Sequence, residues 1–421
     1  MFRLALIAAI FSAFFTSKNE VYAQLKIDAE FRPRFEYRHG YKSLFEEGND
    51  PAAFVSQRSR IKLDLKKEKF NLYISLQDVR VWGDSPQLII SDESGLGLHQ
   101  MWAEFYLNSQ FSLKVGRQEI ILDDHRIFGN VGWLQQARSH DAINFNWKSE
   151  SWTAKLFATY NQDGERLSGN EQYLNNTYKT FQALWLNKKL QNLKVSLLFL
   201  NNGLQQIDTA REISRTNFSQ TSGFHLEYQK NGHQIISKVY YQGGKDVKGR
   251  NLDALLVGLE WNKKILSDRL TYHVGGEWMS GNDKGFPSNG SNHAFNPFYG
   301  TNHKFNGFMD YFFAGTHIDR NGLLNPYQSL LYQWNENNSL RVFHHEFWSG
   351  GSKFDSKRDY FGTEVDLVYR YKISAEASIA FTYCHFFQQD GIENLHQTNN
   401  SNVNNYGFIT LRLKPNLLTQ E

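Results

Sequence analysis

The segment Leu25–Arg38 alternates with a period of two. Leu25, Ile27, Ala29, Phe31, Pro33, Phe35 and Tyr37 fall on one phase. Lys26, Asp28, Glu30, Arg32, Arg34, Glu36 and Arg38 fall on the other, and each of these is charged. A period of two specifies a β-strand. One face of this strand is apolar and the other fully ionised, so the strand separates two very different environments. In a soluble sandwich the ionised face would meet bulk water. The pattern recurs along the chain, however, and a closed barrel around a charged, wet lumen accounts for it better. The predicted fold class is all-β: one transmembrane antiparallel up-and-down barrel.

The chain opens like an exported protein. Arg3 precedes an apolar stretch, Leu4–Phe15, that is too short to span a bilayer as a helix, and Val21-Tyr22-Ala23 resembles a cleavage site. Residues 1–23 are therefore expected to be a signal peptide and 24–421 the barrel. No later segment offers about twenty consecutive apolar residues. Mean hydropathy is low at −0.56, yet aromatics make up 15% of the chain. A barrel with apolar residues at alternate positions and aromatic girdles has that composition. The net charge of +3 argues against nucleic acid as a partner, and the single cysteine, Cys384, excludes an internal disulfide and any multi-cysteine metal site.

Eighteen strands are expected. Short turns fall at 67–69, 108–109, 148–150, 187–192, 230–231, 262–268, 335–339 and 371–372. Longer loops fall near 39–53, 81–97, 118–137, 162–177, 202–219, 243–251, 280–324, 349–357 and 388–403. Bacterial barrels alternate short periplasmic turns with long extracellular loops, which would place both termini in the periplasm. Two local irregularities are expected: a bulge at Pro33 and, near Asp78, where the phase breaks, either a bulge or the emergence of the strand from the membrane. The last strand, about Tyr406 to Leu413, should stop short of the C-terminus. Trp152, Tyr160, Trp185, Trp261, Trp278 and Trp348 are candidates for the interfacial girdle.

An Arg or Lys on the lipid face near the midplane costs about 2–4 kcal/mol. The basic residues of the first two strands share one phase, so they are expected to face the lumen. Arg32, Arg34, Arg38, Arg58, Arg60 and Lys62 would favour an anionic solute there, through two-pronged guanidinium–carboxylate contacts. Asp28, Glu30, Glu36 and Asp64 share the face and would temper the binding. The alternative is an ion ladder that only stiffens the wall.

A second constellation joins Gly116-Arg117-Gln118 to Asp124, Arg126, Gly129, Trp133, Gln135, Gln136, Arg138 and Asp141. With Gln77-Asp78-Val79-Arg80-Val81-Trp82-Gly83, and with Phe295 to Gly300 followed by His303-Lys304-Phe305, Gly307 and Asp310, it resembles the alginate export family of outer-membrane proteins. The resemblance covers essentially all of the mature chain. It implies a monomeric eighteen-stranded barrel in the Gram-negative outer membrane that passes an acidic polysaccharide through an arginine-lined pore gated by loops, with periplasmic export components as partners. Arg80, Arg117, Arg126 and Arg138 are then candidates for the constriction, beside Arg58 and Arg60, with Arg32 and Arg34 also lining the pore. Two features depart from the family: the periplasmic turns are short, and the chain does not end on an aromatic residue.

Loop 280–324 is a candidate lid over or into the pore mouth. The spacings of His293, His303 and His317, and the trio His344-His345-Glu346, match no standard zinc pattern. No cofactor is expected. The leading expectation is passive conduction of an anionic, alginate-like saccharide. The alternatives are a weakly selective general porin and an outer-membrane barrel enzyme. The last needs a nucleophile beside a base, and only Asp123-Asp124-His125 tempts in that direction.

Overall fold

The computed structural model describes residues 23–420 except 86, 88–94, 173–177, 209–212, 267, 284–289, 313–319 and 397–401. The expected leader 1–23, apart from its last residue, lies outside the described residues, as does His317.

Alternation dictates the architecture. Eighteen long strands form one antiparallel sheet: β1 Gln24–His39, β2 Ala52–Lys66, β3 Phe70–Val81, β4 Leu96–Tyr106, β5 Phe111–Gln118, β6 His140–Lys148, β7 Trp152–Tyr160, β8 Thr180–Lys189, β9 Leu193–Asp208, β10 Ile213–Lys230, β11 His233–Gly244, β12 Ala254–Ile265, β13 Leu270–Met279, β14 Leu323–Gln333, β15 Asn338–Trp348, β16 Tyr360–Lys372, β17 Ala377–Gln388 and β18 Asn404–Leu413. Each strand pairs with the next, and β18 returns to β1 to close the barrel. Closure leaves no unpaired edge, which hydrocarbon would not tolerate. The tight turns gather at one end, here the turn end, and the longer connections at the other, the loop end.

Registers carry the facing of side chains from strand to strand. Ala29, Ile61 and Leu76 sit side by side on the outward face, and Glu30, Arg60 and Gln77 on the inward one. Outward residues such as Ile61, Val115, Ile143, Leu197 and Leu259 are exposed, whereas the inward Arg32, Arg58, Phe157, Lys238 and Glu364 are buried. Material inside the barrel therefore covers the inward row.

Five expectations change. Pro33 makes no bulge: the register runs through it on both sides, and only the rungs of Arg32 and Pro33 toward β18 are missing. The irregularity expected near Asp78 lies in the facing strand, where Ser75 pairs with Gln100 and Leu76 with Leu98, leaving His99 as the extra residue. The stretch 202–219 is mostly hairpin, with β9 and β10 paired out to Asp208 and Ile213. Polar pairs such as Arg215 with Gln206 hold it, so no apolar face announced it. After Lys414-Pro415 the chain pairs again, Asn416–Gln420 running against the start of β1. Trp185 also leaves the expected girdle, since it points inward and donates to Asp123 at 3.1 Å.

Substituting Ile61→Arg on the outward face should destabilise the barrel by about 2–4 kcal/mol, whereas Lys62→Arg on the inward face should change little. Urea midpoints in lipid vesicles would test the contrast.

Candidate functional site

Two loop-end connections fold into the lumen and meet. Loop A is 119–139, between β5 and β6, and loop B is 280–322, between β13 and β14. Phe128 bridges Tyr299 in parallel, Gly129 N–H donates to the Tyr299 carbonyl at 2.9 Å, and Thr301 N–H donates to the His125 carbonyl at 2.9 Å. Gly300 packs against the Arg126 backbone so closely that a Cβ would lie 2.1 Å from its carbonyl oxygen. Loop B then reaches both walls. The inward Glu364 of β16 accepts the N–H groups of Phe308 and Met309. Tyr41 donates to Asp310 at 2.6 Å, while Tyr299 donates to Asn202 of β9 at 2.5 Å. The two loops thus make a septum across the barrel. The expected lid folds into the lumen.

Most of the arginines singled out in the sequence build this septum. Arg32 faces inward but is only 2% exposed. It donates to the carbonyls of Gly132 (2.7 Å), Trp133 (3.2 Å) and Leu134 (2.9 Å) and to the Gln135 side chain (2.9 Å). A guanidinium has five N–H donors in a fixed fork, and here the fork grips loop A. Arg58 adds bonds to the Leu134 and Gln135 carbonyls and pairs with Glu30 at 2.7 Å. Arg34 bonds Glu36 and the Trp133 carbonyl and lies 4.3 Å over the Trp133 ring. Arg60 bonds Gln77 at 2.8 Å. Arg126, fully buried, ties loop A to Glu277 of β13 and to Asn302 and Asn306 of loop B. Arg138 donates to the Gly300 carbonyl.

Arg80 and Arg117 are placed differently, and for them the pore-lining expectation is corrected. Arg80 shares its face with Leu76 and pairs with Asp78 at 2.6 Å. Arg117 shares its face with Val115 and pairs with Asp141 directly across from it at 2.7 Å. Both stand on the outward face toward the loop end. Each charge there is met by a carboxylate rather than by lipid.

The opposite wall holds loop A through a buried charge cluster. Lys238 of β11 contacts Asp124 (2.7 Å), Glu260 (3.1 Å) and Glu277 (3.4 Å). Burial pushes the Asp124 carboxyl up, but Lys238 and His225 outweigh it and hold it below its ordinary 3.8. The anchor is therefore at full strength above that value and weakens only as pH falls through the lowered one. Asp123 and Asp124 are anchors in this arrangement, so the tempting acid–histidine triplet has a structural account.

An open cavity of about 790 Å³ remains on the turn-end side of the septum, against β12–β18 and β1. Its wall carries three arginines that sequence reasoning missed: Arg341, Arg370 and Arg412. Their placement follows from register. Arg341 lies opposite Val368, and Arg370 is two residues further along β16. Arg370 pairs with Ala380, Ala380 with Thr410, and Arg412 is two residues along β18. Arg412 in turn sits opposite Arg32, in the register set by Phe31–Leu413 and Arg34–Thr410. The guanidinium groups form an arc over β15, β16, β18, β1 and β2. At its β1–β2 end loop A covers them. At the other end Arg370 and Arg412 are exposed. Among the described residues Arg370 has no bonded partner, Arg341 bonds only Ser329 and stacks 4.6 Å over Phe343, and Arg412 reaches Glu30 at 3.9 Å. Among the described residues no group of three or more potential metal ligands occurs.

Replacing Arg32 with Ala should free loop A while leaving the strands paired. The expected result is a several-fold higher single-channel conductance with an unchanged heat-modifiable gel shift; unchanged conductance would contradict the clamp role.

Comparison with solved structures finds the same fold. Acinetobacter baumannii OccAB4 aligns with a TM-score of 0.63 at 10% identity, over 95% of this chain and 100% of that one. Pseudomonas aeruginosa OpdL gives 0.62 at 13%, over 94% and 99%. A BenF-like porin from Pseudomonas fluorescens gives 0.60 at 9%, over 93% and 99%. At such identities the likeness shows the architecture alone. No curated protein sequence matches the chain significantly. The family model described as Alginate export matches residues 23–405. Together with the closed eighteen-stranded barrel, that match identifies the chain as a member of the alginate export family, located in the Gram-negative outer membrane.

Proposed function

We propose that this protein is a monomeric channel that conducts an anionic, alginate-like saccharide passively across the outer membrane, without a catalytic step. Residues 1–23 are its removed leader, and its turn end faces the periplasm, where export components would meet it. The observation that carries this reading is the open part of the guanidinium arc. Arg341 and Arg370 face the cavity with no carboxylate within 4 Å among the described residues, and Arg412 touches Glu30 only at that limit. Unopposed guanidiniums in a restricted, partly apolar space attract carboxylates strongly and with defined geometry. Family membership supports the saccharide as the cargo, and the porin-like barrels support conduction.

The mechanism divides the arc in two. Its covered members, Arg32, Arg34 and Arg58, fix loop A, and its open members receive the solute. Contacts of this kind favour entry while staying weak enough for release. Arg60 and Arg138 line the path at the septum, Arg60 bonded to Gln77 and 3.9 Å from Glu119, and Arg138 bonded to the Gly300 carbonyl.

Reversal potentials in planar bilayers under a KCl gradient should show anion preference. Uronate oligomers should reduce the conductance, and neutral glycans of equal length should not. Equal reduction by both, or a reversal potential near zero, would instead mark a general porin.

A further inference from the structure

The open cavity is asymmetric in a way that conduction alone does not require. Its roof is the septum: Trp133 of loop A and Thr301, Lys304, Phe305 and Phe308 of loop B line it. Its lower wall includes Ser378 and Ile379, just beyond the turn at 373–376. The roof is a bonded structure and the lower wall ends at a tight turn, so the cavity faces the turn end.

Its chemistry is also layered. Basic groups occupy the wall: Arg341 and Arg370 lie about 8 Å apart, and Arg370 and Arg412 about 12 Å apart, from strand spacing and rise. Half-buried rings lie next to the roof, with Phe308 and Phe343 5.2 Å apart and tilted by 60°. Asn262, Thr382 and Thr410 supply neutral polar groups. Glu260, a carboxylate in the lining, is held by Lys238 and faces His273 at 3.4 Å. A ligand suited to this lining carries several carboxylates on one side and offers C–H faces to rings on the other. The volume lies in the range of small-molecule sites, roughly 300–1,000 Å³. A few sugar units fit, and a polymer end would fill the cavity.

We propose that this cavity is a capture site for the end of an acidic oligosaccharide, entered from the turn end only, with carboxylates seated on Arg341, Arg370 and Arg412 and sugar faces on Phe308 and Phe343. The inference rests on the anionic-saccharide reading and adds sidedness and a residue set to it. The septum above the site makes binding from the two ends unequal. Among the described residues Arg370 has no internal partner, so its guanidinium is available to the ligand and its removal orphans none of them.

The test is block of single-channel current by a triuronate added to one side at a time. Orientation is fixed by E68C, labelled with a biotin maleimide in the exposed 67–69 turn; Cys384 is fully buried and stays unlabelled. Block from the turn side should be at least about tenfold tighter than from the loop side. Arg370→Ala, and Arg341→Ala with Arg370→Ala, should weaken turn-side block by about tenfold or more. Phe343→Leu should weaken block by the triuronate but not by citrate, which is similarly charged and lacks a pyranose face. Arg117→Ala, on the outward face, should leave the block unchanged. Equal block from both sides, or full block in the Arg341/Arg370 variant, would overturn the capture site even if anion preference persists. Loss of anion preference and of all block in the wild-type protein would instead strike the broader reading.

Discussion

A backbone amide or carbonyl in hydrocarbon must find its partner within the protein. Every later feature of this molecule depends on that constraint. It forces eighteen strands into a closed ladder, and closure creates an inside. Once an inside exists, a strand such as Leu25–Arg38 can carry seven charges on one face without placing any in lipid. The same constraint governs the loops. Loop A could enter the lumen only because Arg32 and Arg58 present donors to its carbonyls, and loop B because Glu364 accepts its N–H groups. Charge inside the barrel is thus first a means of solvating irregular backbone.

That order explains the division within the arc. Buried guanidiniums are tolerable when fully bonded and costly when stripped of partners. Arg32 meets the condition through three carbonyls and one side-chain amide, and Arg126 meets it at both terminal nitrogens, through side-chain amides and one carboxylate, while its Nε stays unpaired. Arg370 and Arg412 avoid it by remaining exposed to the cavity. The neighbouring strands β18 and β1 therefore place in one row an arginine that serves the fold, Arg32, and one that stays exposed to the cavity, Arg412.

Strand existence, loop order and the inward phase of the early basic residues were legible because a period of two survives every local perturbation. What failed was phase across motifs. Arg80 and Arg117 belong to the strings that resemble the family's motifs, but stepping by two from Leu76 and from Val115 puts both outside. The same stepping, continued from Val368, would have found Arg370. The septum was not legible, since its bonds run largely to backbone atoms that every residue possesses. A long loop rich in Asn, Gly and His marks unusual behaviour; it does not say which wall will hold it. The hairpin beyond Asn202 was missed for a related reason, because strands that stand in water need no apolar face.

The missing rungs at Pro33 have a mechanical consequence. They fall where the first and last strands meet; pairing resumes below them at Phe31–Leu413 and continues along Asn416–Gln420. The closing seam therefore has a gap of two rungs, with paired residues on both sides of it. Local opening of this closing seam, whether during insertion or under stress, should start there, since no ladder pairing holds those two positions.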